Sequence, residues 1–235
     1  MDTIYYLILV PMVYLAFFIF IAGIIWRVTS LLQKPKLPTT LKIYPEKKPA
    51  MFWALTDTVF LPGVRRNNPV LWFFLMVFHV CLLLLFIGHL ELVWDLPIFQ
   101  IIPHEIFLGN GFLGIILSVS LLFFLFRRFV SPTKDLSVPE DYFVLILLFL
   151  IVIFGSEMDW ARRWYAYEEM GPAEYRVYLQ TILAFKPDIG DVNIPGHSFM
   201  LVLHVFFANL FLMVFPFSNL MHSIFAVPLN KLRRG

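Results

Sequence analysis

Two long apolar segments of this chain each carry two histidines. His79 and His89 lie ten residues apart in one segment, and His204 and His222 lie eighteen residues apart in another. Ionisable side chains inside a hydrocarbon-spanning helix are costly, so they mark a functional site by default. Two histidines on each of two membrane helices provide four imidazoles, enough to hold two iron atoms. The pattern therefore constrains the fold to a helical membrane bundle that brings paired histidines together.

The composition supports an all-α integral membrane protein with a single domain over 1–235. Hydrophobic residues make up 60% of the 235 residues, whereas a soluble domain is nearer half apolar. Five segments are long and apolar enough to span about 30 Å of hydrocarbon. Uninterrupted runs such as LILLFLIVIF differ from the alternating pattern of a barrel strand. The predicted five-helix transmembrane bundle has spans at 4–26, 70–92, 111–127, 142–156 and 198–222.

The distribution of positive charge predicts the orientation. Of the eighteen Lys and Arg, fourteen lie in 27–69, in 127–141 or after His222, and four lie in 157–197. Because Lys and Arg accumulate in cytoplasmic loops, we predict an outer N-terminus, a cytoplasmic C-terminus, a cytoplasmic loop 27–69 and an outer loop 157–197. The stretches MFWALTDTVFL and WARRWYAYEEMGPAEYRVYLQTILAF predict interfacial helices in these loops, and aromatic-belt anchoring is an equally open interpretation.

Cys81 is the single cysteine of the chain. A structural disulfide, a thiolate zinc site and a cysteine-bound iron–sulfur cluster within this chain are therefore excluded. We expect Cys81 to be a small packing residue inside a helix. The first apolar segment has no positive n-region and no convincing cleavage site, so we expect it to be a retained helix and not a signal peptide.

The predicted topology makes the two histidine-bearing spans antiparallel. His79 and His89 are about 15 Å apart along one helix, and eighteen residues are five turns, so His204 and His222 share a face of the other. At the outer level, His89 pairs with His204. At the inner level, His79 pairs with His222. The inner pair differs in depth by on the order of 10 Å on ideal helices, which helix tilt or a kink at Pro216 would reduce.

Paired imidazoles favour haem iron over other metals. Non-haem iron or zinc requires more ligands than a pair of imidazoles. The motif C-x-x-C-H does not occur, so we predict two non-covalently bound b haems. Because both axial positions are filled, such haems pass electrons and do not bind oxygen. Two alternatives remain open, a proton or ion pathway and four structural histidines that bond to backbone carbonyls.

The histidine segments FHVCLLLLFIGHLE and LHVFFANLFLMVFPFSNLMH resemble those of the gamma subunit of respiratory nitrate reductase, a dihaem cytochrome b family. The PFSNLMH stretch is a strong local match, and the resemblance covers most of the chain. The LKIYPEKKP segment and the inserted outer loop are more similar to the membrane subunit of the dissimilatory sulfite-reductase-associated complex. The resemblance implies electron transfer between menaquinone and a cytoplasmic iron–sulfur partner, similar to the catalytic subunit of heterodisulfide reductase, in sulfur or sulfite respiration.

The resemblance also implies a quinone site at the outer haem, beside Gly88 and His89. In the nitrate reductase subunit, a lysine after the second helix serves this site. No lysine lies between Val93 and Asn110 here. His104 and Glu105 are the candidates for its proton role, and an exposed loop position is the competing interpretation for His104.

Haem propionates require cations. We expect His197 to cap a helix or to contact a propionate, and not to ligate iron. Ordinary positive-inside loop charge is the competing interpretation for every arginine. The candidate cations are Arg162 and Arg163 for the outer haem, and Arg65, Arg66, Arg127 and Arg128 for the inner haem.

The expected setting is the cytoplasmic membrane, with lipid, quinone and a cytoplasmic iron–sulfur subunit as partners. That subunit would dock on the 27–69 loop and the basic tail. Further membrane and periplasmic subunits are compatible with this interpretation, and nucleic acid is not an expected partner. The rival functions are a nitrate-reductase-type gamma subunit, a haem-free membrane anchor, and a histidine-relay transporter, which would have inverted repeats or broken helices.

Overall fold

The computed structural model describes residues 2–34, 46–94, 112–164, 172–194 and 198–234, with backbone alone for residues 2, 159, 161–164, 172 and 234. The described residues form ten α-helices, joined by turns and short 3₁₀ segments. The helices are α1 (Asp2–Leu9), α2 (Pro11–Leu32), α3 (Ala50–Phe60), α4 (Pro62–Asn67), α5 (Pro69–Val93), α6 (Phe112–Arg127), α7 (Pro139–Trp164), α8 (Pro172–Leu183), α9 (Phe199–Val214) and α10 (His222–Arg234).

The fold is that of an all-helical, multi-pass membrane protein, as the composition predicts. Among the described residues, four segments are long and apolar enough to cross a membrane, and they are Thr3–Leu32, Pro69–Val93, Pro139–Met158 and Phe199–Phe217. Helix α6 has 16 residues, which correspond to about 24 Å. The fifth span, at 111–127, therefore stays a prediction, together with the orientation of the termini.

The long apolar helices and α6 pack on one another in a series. Helix α5 packs on α6, α6 on α7, α7 on α9, and α9 on α2. Within the described residues, no comparable backbone contact joins α5 directly to α9. The two helices that carry histidines therefore face each other across a cleft, and α6 and α7 form its wall.

Small and apolar residues hold this wall together. Cys81 packs in a buried cluster with side chains of α6 and α7, among them Leu117 and Val144, which confirms its predicted packing role. A Cβ atom at Gly114 would overlap the hydroxyl of Ser156. Because small residues let membrane helices approach closely, this pair fixes the separation between α6 and α7.

The first predicted span is broken into two helices at Val10. Val10 has φ −122° and ψ −77°, outside the helical region, and Pro11 begins α2. Proline has no backbone N–H and its ring clashes with the preceding turn, so it kinks or breaks a helix. The break exposes backbone carbonyls at the end of α1 that need donors from elsewhere.

Two side chains distant in sequence donate to these carbonyls. The hydroxyl of Tyr178, in α8, donates to the Leu9 carbonyl at 2.6 Å. The amide of Asn209, in α9, donates to the Ile8 carbonyl at 3.2 Å. Burial, and to a smaller extent the neighbouring Tyr14, raises the pKa of Tyr178, so its hydroxyl stays protonated and remains a donor. These two hydrogen bonds thus connect the end of α1 to α8 and α9.

The last predicted span, 198–222, is wrong as a single helix. Helix α9 ends at Val214, and two 3₁₀ segments follow, Phe215–Phe217 and Asn219–Met221. Ser218 between them is extended, with ψ 171°. Pro216 interrupts the hydrogen-bond ladder and lies buried at the break. His204 and His222 are therefore not in one continuous helix, and the prediction that five helical turns place them on one face is wrong. His222 begins a separate helix, α10.

The non-spanning segments also contain helices. Helix α3 covers most of MFWALTDTVFL, and α8 covers PAEYRVYLQTIL. Helix α10 packs against α3, and the Asn230 amide donates to the Thr58 hydroxyl at 2.9 Å. The segment after His222, which the sequence suggested as a basic tail, is thus an ordered helix. The location of α3 and α8 at the membrane interface stays a prediction.

Replacing Tyr178 by Phe tests the bond between α8 and the broken first span. The substitution keeps the ring but leaves the buried Leu9 carbonyl without this donor, which costs about 1–3 kcal/mol of unfolding free energy. We expect a lower thermal unfolding midpoint of the detergent-solubilised protein. Tyr6→Phe is the matched control, because the Tyr6 side chain is 46% exposed. Equal midpoints for the two variants would contradict this account.

Candidate cofactor site

The outer histidines lie opposite each other across the cleft. His89 is in the last two turns of α5, and His204 is in the second turn of α9. Their ring centroids are 6.1 Å apart, and their planes differ by 19°. Metal–imidazole bonds are about 2 Å long, so two imidazoles on opposite sides of one metal ion have centroids roughly 6 Å apart. The separation of these rings fits a pair of axial ligands.

All four histidines make the same kind of hydrogen bond to a backbone carbonyl. Because a carbonyl oxygen only accepts, the Nδ1 atom of each ring carries the hydrogen, and the lone pair is on Nε2. Metal-bound histidines characteristically donate their other ring N–H in this way. The Nδ1···O distances are 2.7 Å from His79 to Leu75, 2.7 Å from His89 to Leu85, 2.9 Å from His204 to Ile151 and 2.9 Å from His222 to Asn219.

The inner histidines line one cavity. Its volume is about 350 Å³, and both His79 and His222 are in its wall. Binding pockets for small molecules and cofactors begin at about 300 Å³. The cavity lining combines apolar and polar side chains besides the two histidines. The apolar lining is Leu71, Leu75, Phe78, Phe124, Val144, Leu145, Leu148 and Leu220, and the polar lining is Arg127, Arg128, Glu140, Asp141 and Asn219.

The break after α9 brings the inner pair together. If α9 continued as a straight helix to residue 222, His222 would lie beyond the depth of His79 in the bundle. Instead, the two 3₁₀ segments turn the chain, and His222 faces the same cavity as His79. Pro216, which the sequence suggested as a kink, is at this turn. Helix α2 supports it closely, since a Cβ at Gly23 would be 2.7 Å from the Pro216 Cβ.

Among the four arginines suggested for the inner haem, two line the cavity. They are Arg127 and Arg128. Arg128 also pairs with Asp141 at 2.9 Å, so part of its charge is already balanced at the cavity rim. Arg65 lies over the Trp72 ring at 5.0 Å, and Arg65 and Arg66 are absent from the lining residues.

The outer loop residues suggested from sequence are only partly described. Arg162 and Arg163 are in the last turn of α7, but their side chains are outside the described part of the chain. His104, Glu105 and His197 also lie outside the described residues. Their suggested roles stay predictions.

The C-terminal end of α5 holds a buried carboxyl residue that the sequence reasoning missed. Glu91 is 1% exposed and lies two residues after His89. The Arg176 guanidinium donates to the Glu91 carbonyl at 3.4 Å, which places α8 against the end of α5. Gly88 is buried on the same turn. An acidic residue inside a predicted span was the available signal, because charges are rare at such depth.

Helix α7 also contacts the site, through groups that give no sequence signal. The Ile151 carbonyl accepts the His204 Nδ1–H. A Cβ at Gly155 would be 3.0 Å from both Nδ1 and Cε1 of His204. A backbone carbonyl and the absence of a side chain have no motif, so neither was predictable.

The donor set is compatible with a macrocycle and less so with a bare metal ion. Within the described ranges, no group of three or more His, Cys, Asp or Glu comes together as possible metal ligands. Each histidine pair therefore offers two nitrogen ligands from the described side chains. Zinc sites of protein ligands usually need three or four, whereas a porphyrin supplies its own four nitrogens and needs only the axial pair.

The chain has recognisable relatives among known proteins. Two archaeal proteins, each named Hdr-like menaquinol oxidoreductase cytochrome b-like subunit, are similar to most of the chain. The protein from Archaeoglobus fulgidus is 28% identical, with 89% of this chain and 74% of the relative covered. The protein from Archaeoglobus profundus is 23% identical, with 89% and 73% covered. The nitrate reductase gamma subunit family matches residues 67–235, which include all four histidines. The chain belongs to the nitrate reductase gamma subunit family.

Proposed function

We propose that this chain is the dihaem cytochrome b subunit of a membrane complex that exchanges electrons between menaquinone and a cytoplasmic iron–sulfur partner. The observation that carries the proposal is the pairing of the histidines in two places. His89 and His204 have rings 6.1 Å apart, and His79 and His222 line one cavity. The Nδ1–H bonds leave Nε2 of every ring as the lone-pair nitrogen.

These paired imidazoles would hold an iron porphyrin, which would supply reversible one-electron transfer. The protein's own residues orient the ligands and control access. Backbone carbonyls fix each imidazole tautomer, and leucine and phenylalanine side chains form most of the apolar lining of the inner cavity. Arg127 and Arg128 at the rim would neutralise acidic groups of the cofactor. Arg162 and Arg163 are proposed for the same role at the outer level.

The proposed quinone site is at the outer end of α5. Gly88 has no side chain, so it leaves room for a flat ring beside His89. His104 and Glu105 are proposed to exchange protons with the quinone there. The name of the archaeal relatives, menaquinol oxidoreductase, supports menaquinol as the substrate. Both quinol oxidation and quinone reduction are compatible with this arrangement.

The partner is proposed to bind at the end where the inner cavity opens. Helices α3 and α10 pack together there, next to the cavity residue His222, which begins α10. Exposed apolar side chains such as Phe52 and Leu232 occur on this pair of helices, and Lys231 and Arg233 add positive charge. The description Hdr-like for the relatives supports an iron–sulfur subunit of the heterodisulfide-reductase type. Sulfur or sulfite respiration is the proposed setting.

A second candidate is the gamma subunit of a nitrate-reductase-type complex, which the family match favours. It shares the paired histidines and differs in the partner. Identification of the subunits that co-purify with the chain distinguishes the two. A heterodisulfide-reductase-like subunit supports the first candidate, and a nitrate reductase catalytic subunit supports the second.

Single histidine substitutions test the pairing. We expect His89→Ala and His204→Ala each to lose the same haem, because either change removes one axial ligand of the outer pair. His79→Ala and His222→Ala should each lose the other haem. The measurement is the reduced-minus-oxidised spectrum of the purified variants, in which about half of the b-type alpha-band absorbance should disappear.

The spectrum also separates the rival functions. A histidine-relay transporter or a haem-free anchor has no alpha band at all in the unmodified protein. The proposed pairs are refuted if His89→Ala and His79→Ala remove the same haem. Retention of both haems in His204→Ala would contradict the proposed outer ligand set.

Terminal fusions test the predicted orientation and the fifth span. Five spans place the two termini on opposite sides of the membrane, with the N-terminus outside. We expect a green fluorescent protein fused after Gly235 to fluoresce and an alkaline phosphatase fused there to be inactive. The same reporters at the N-terminus should give the opposite result. Identical results at both ends would indicate an even number of spans and contradict the five-helix topology.

A further inference from the structure

Helix α7 carries no histidine, yet it contacts both ligand positions of the last segment. Near its middle, the Ile151 carbonyl accepts the Nδ1–H of His204 at 2.9 Å, across 53 residues of sequence. Near its start, the Glu140 carboxylate accepts the backbone N–H of Asn219 at 3.0 Å, across 79 residues. The other two histidines, His79 and His89, bond to carbonyls four residues earlier in their own helix. Among the four histidines, His204 bonds to a carbonyl of a neighbouring helix, and the residue that accepts the bond of His222 is itself held by that helix.

The contact with His204 requires a glycine in α7. Gly155 is one turn beyond Ile151, on the same face. A Cβ there would be 3.0 Å from Nδ1 and Cε1 of His204, which is tighter than ordinary van der Waals contact. Because α7 and α9 are closely packed, the ring has little space to move away. Gly155 therefore allows the imidazole to approach the Ile151 carbonyl.

The contact with His222 passes through one residue of the broken segment. The Asn219 N–H donates to Glu140, and the Asn219 carbonyl accepts the Nδ1–H of His222 at 2.9 Å. Asn219 begins the second 3₁₀ segment, where no regular helix holds the backbone. Glu140 thus holds the residue that orients His222, and both Glu140 and His222 line the inner cavity.

We infer that α7 is the positioning helix of the site, with Gly155 and the Ile151 carbonyl setting the orientation of His204 and Glu140 setting that of His222. This inference rests on the proposed function, since it concerns ligands of two haems. A hydrogen bond from Nδ1–H makes the imidazole a more basic ligand. Loss of the bond should weaken haem binding and raise the midpoint potential of the affected haem only.

Gly155→Ala tests the outer position. We expect weaker binding of the outer haem, by about 10–100-fold as for other supporting residues of metal ligands, with a shifted low-spin electron paramagnetic resonance signal and a more positive midpoint potential. The inner haem should keep its signal. Gly63→Ala is the matched control, because no atom lies within 4 Å of a Cβ at that glycine. The outer haem is identified by its absence in His89→Ala.

Glu140→Ala tests the inner position independently. Without the carboxylate, Asn219 loses its acceptor, and we expect the same three changes at the inner haem while the outer haem is unaffected. Glu140→Gln should largely restore the unmodified behaviour, because its side-chain oxygen still accepts a hydrogen bond. If only the negative charge of Glu140 matters, Glu140→Gln should behave like Glu140→Ala. That result would refute the positioning role of Glu140.

The outcomes separate this inference from the proposed function. Unmodified protein without haem would refute the proposed function before any variant is made. If the unmodified protein binds two haems and Gly155→Ala matches Gly63→Ala in spectrum and potential, the positioning role of Gly155 is wrong. Equal loss of both haems in either variant would assign the effect to the whole bundle and overturn the inference.

Discussion

The hydrogen bond from each histidine Nδ1–H to a backbone carbonyl is the interaction on which the site depends. An imidazole inside an apolar bundle carries two polar nitrogens, and each is costly to bury without a partner. The carbonyl satisfies one nitrogen and fixes the tautomer, which leaves Nε2 as the available ligand atom. In His79 and His89 the carbonyl comes from the same helix. In His204 it comes from α7, so the packing of α7 on α9 determines where that ligand lies.

Proline breaks adapt straight membrane helices to this arrangement. At Pro11, the carbonyls at the end of α1 accept hydrogen bonds from Tyr178 and Asn209. These bonds connect the first helix to α8 and α9. At Pro216, the chain leaves the helical path and delivers His222 to the cavity that His79 lines. Backbone groups released inside a membrane protein need partners within the protein. The side chains that supply them are therefore as necessary to the fold as the apolar contacts.

The sequence predicted the elements that have strong local signals. Long apolar runs identified four segments that can cross a membrane. The histidine pattern suggested two pairs, of which one has its rings 6.1 Å apart and the other lines one cavity, and their role as ligands stays a prediction. Features set by tertiary context were missed. The helix break after Val214 is one, because proline signals a kink without giving its direction. The Ile151 carbonyl and Gly155 are others, since a backbone oxygen and a missing side chain have no recognisable pattern. Glu91 was overlooked despite a readable signal.

The haem content of the purified chain tests the central claim most directly. Pyridine haemochrome absorbance, divided by the protein concentration from amino-acid analysis, gives the number of b haems per polypeptide. Two histidine pairs that each hold one iron predict a value close to two. A value close to zero would contradict the whole account, and a value close to one in fully loaded protein would show that one of the two pairs does not bind haem.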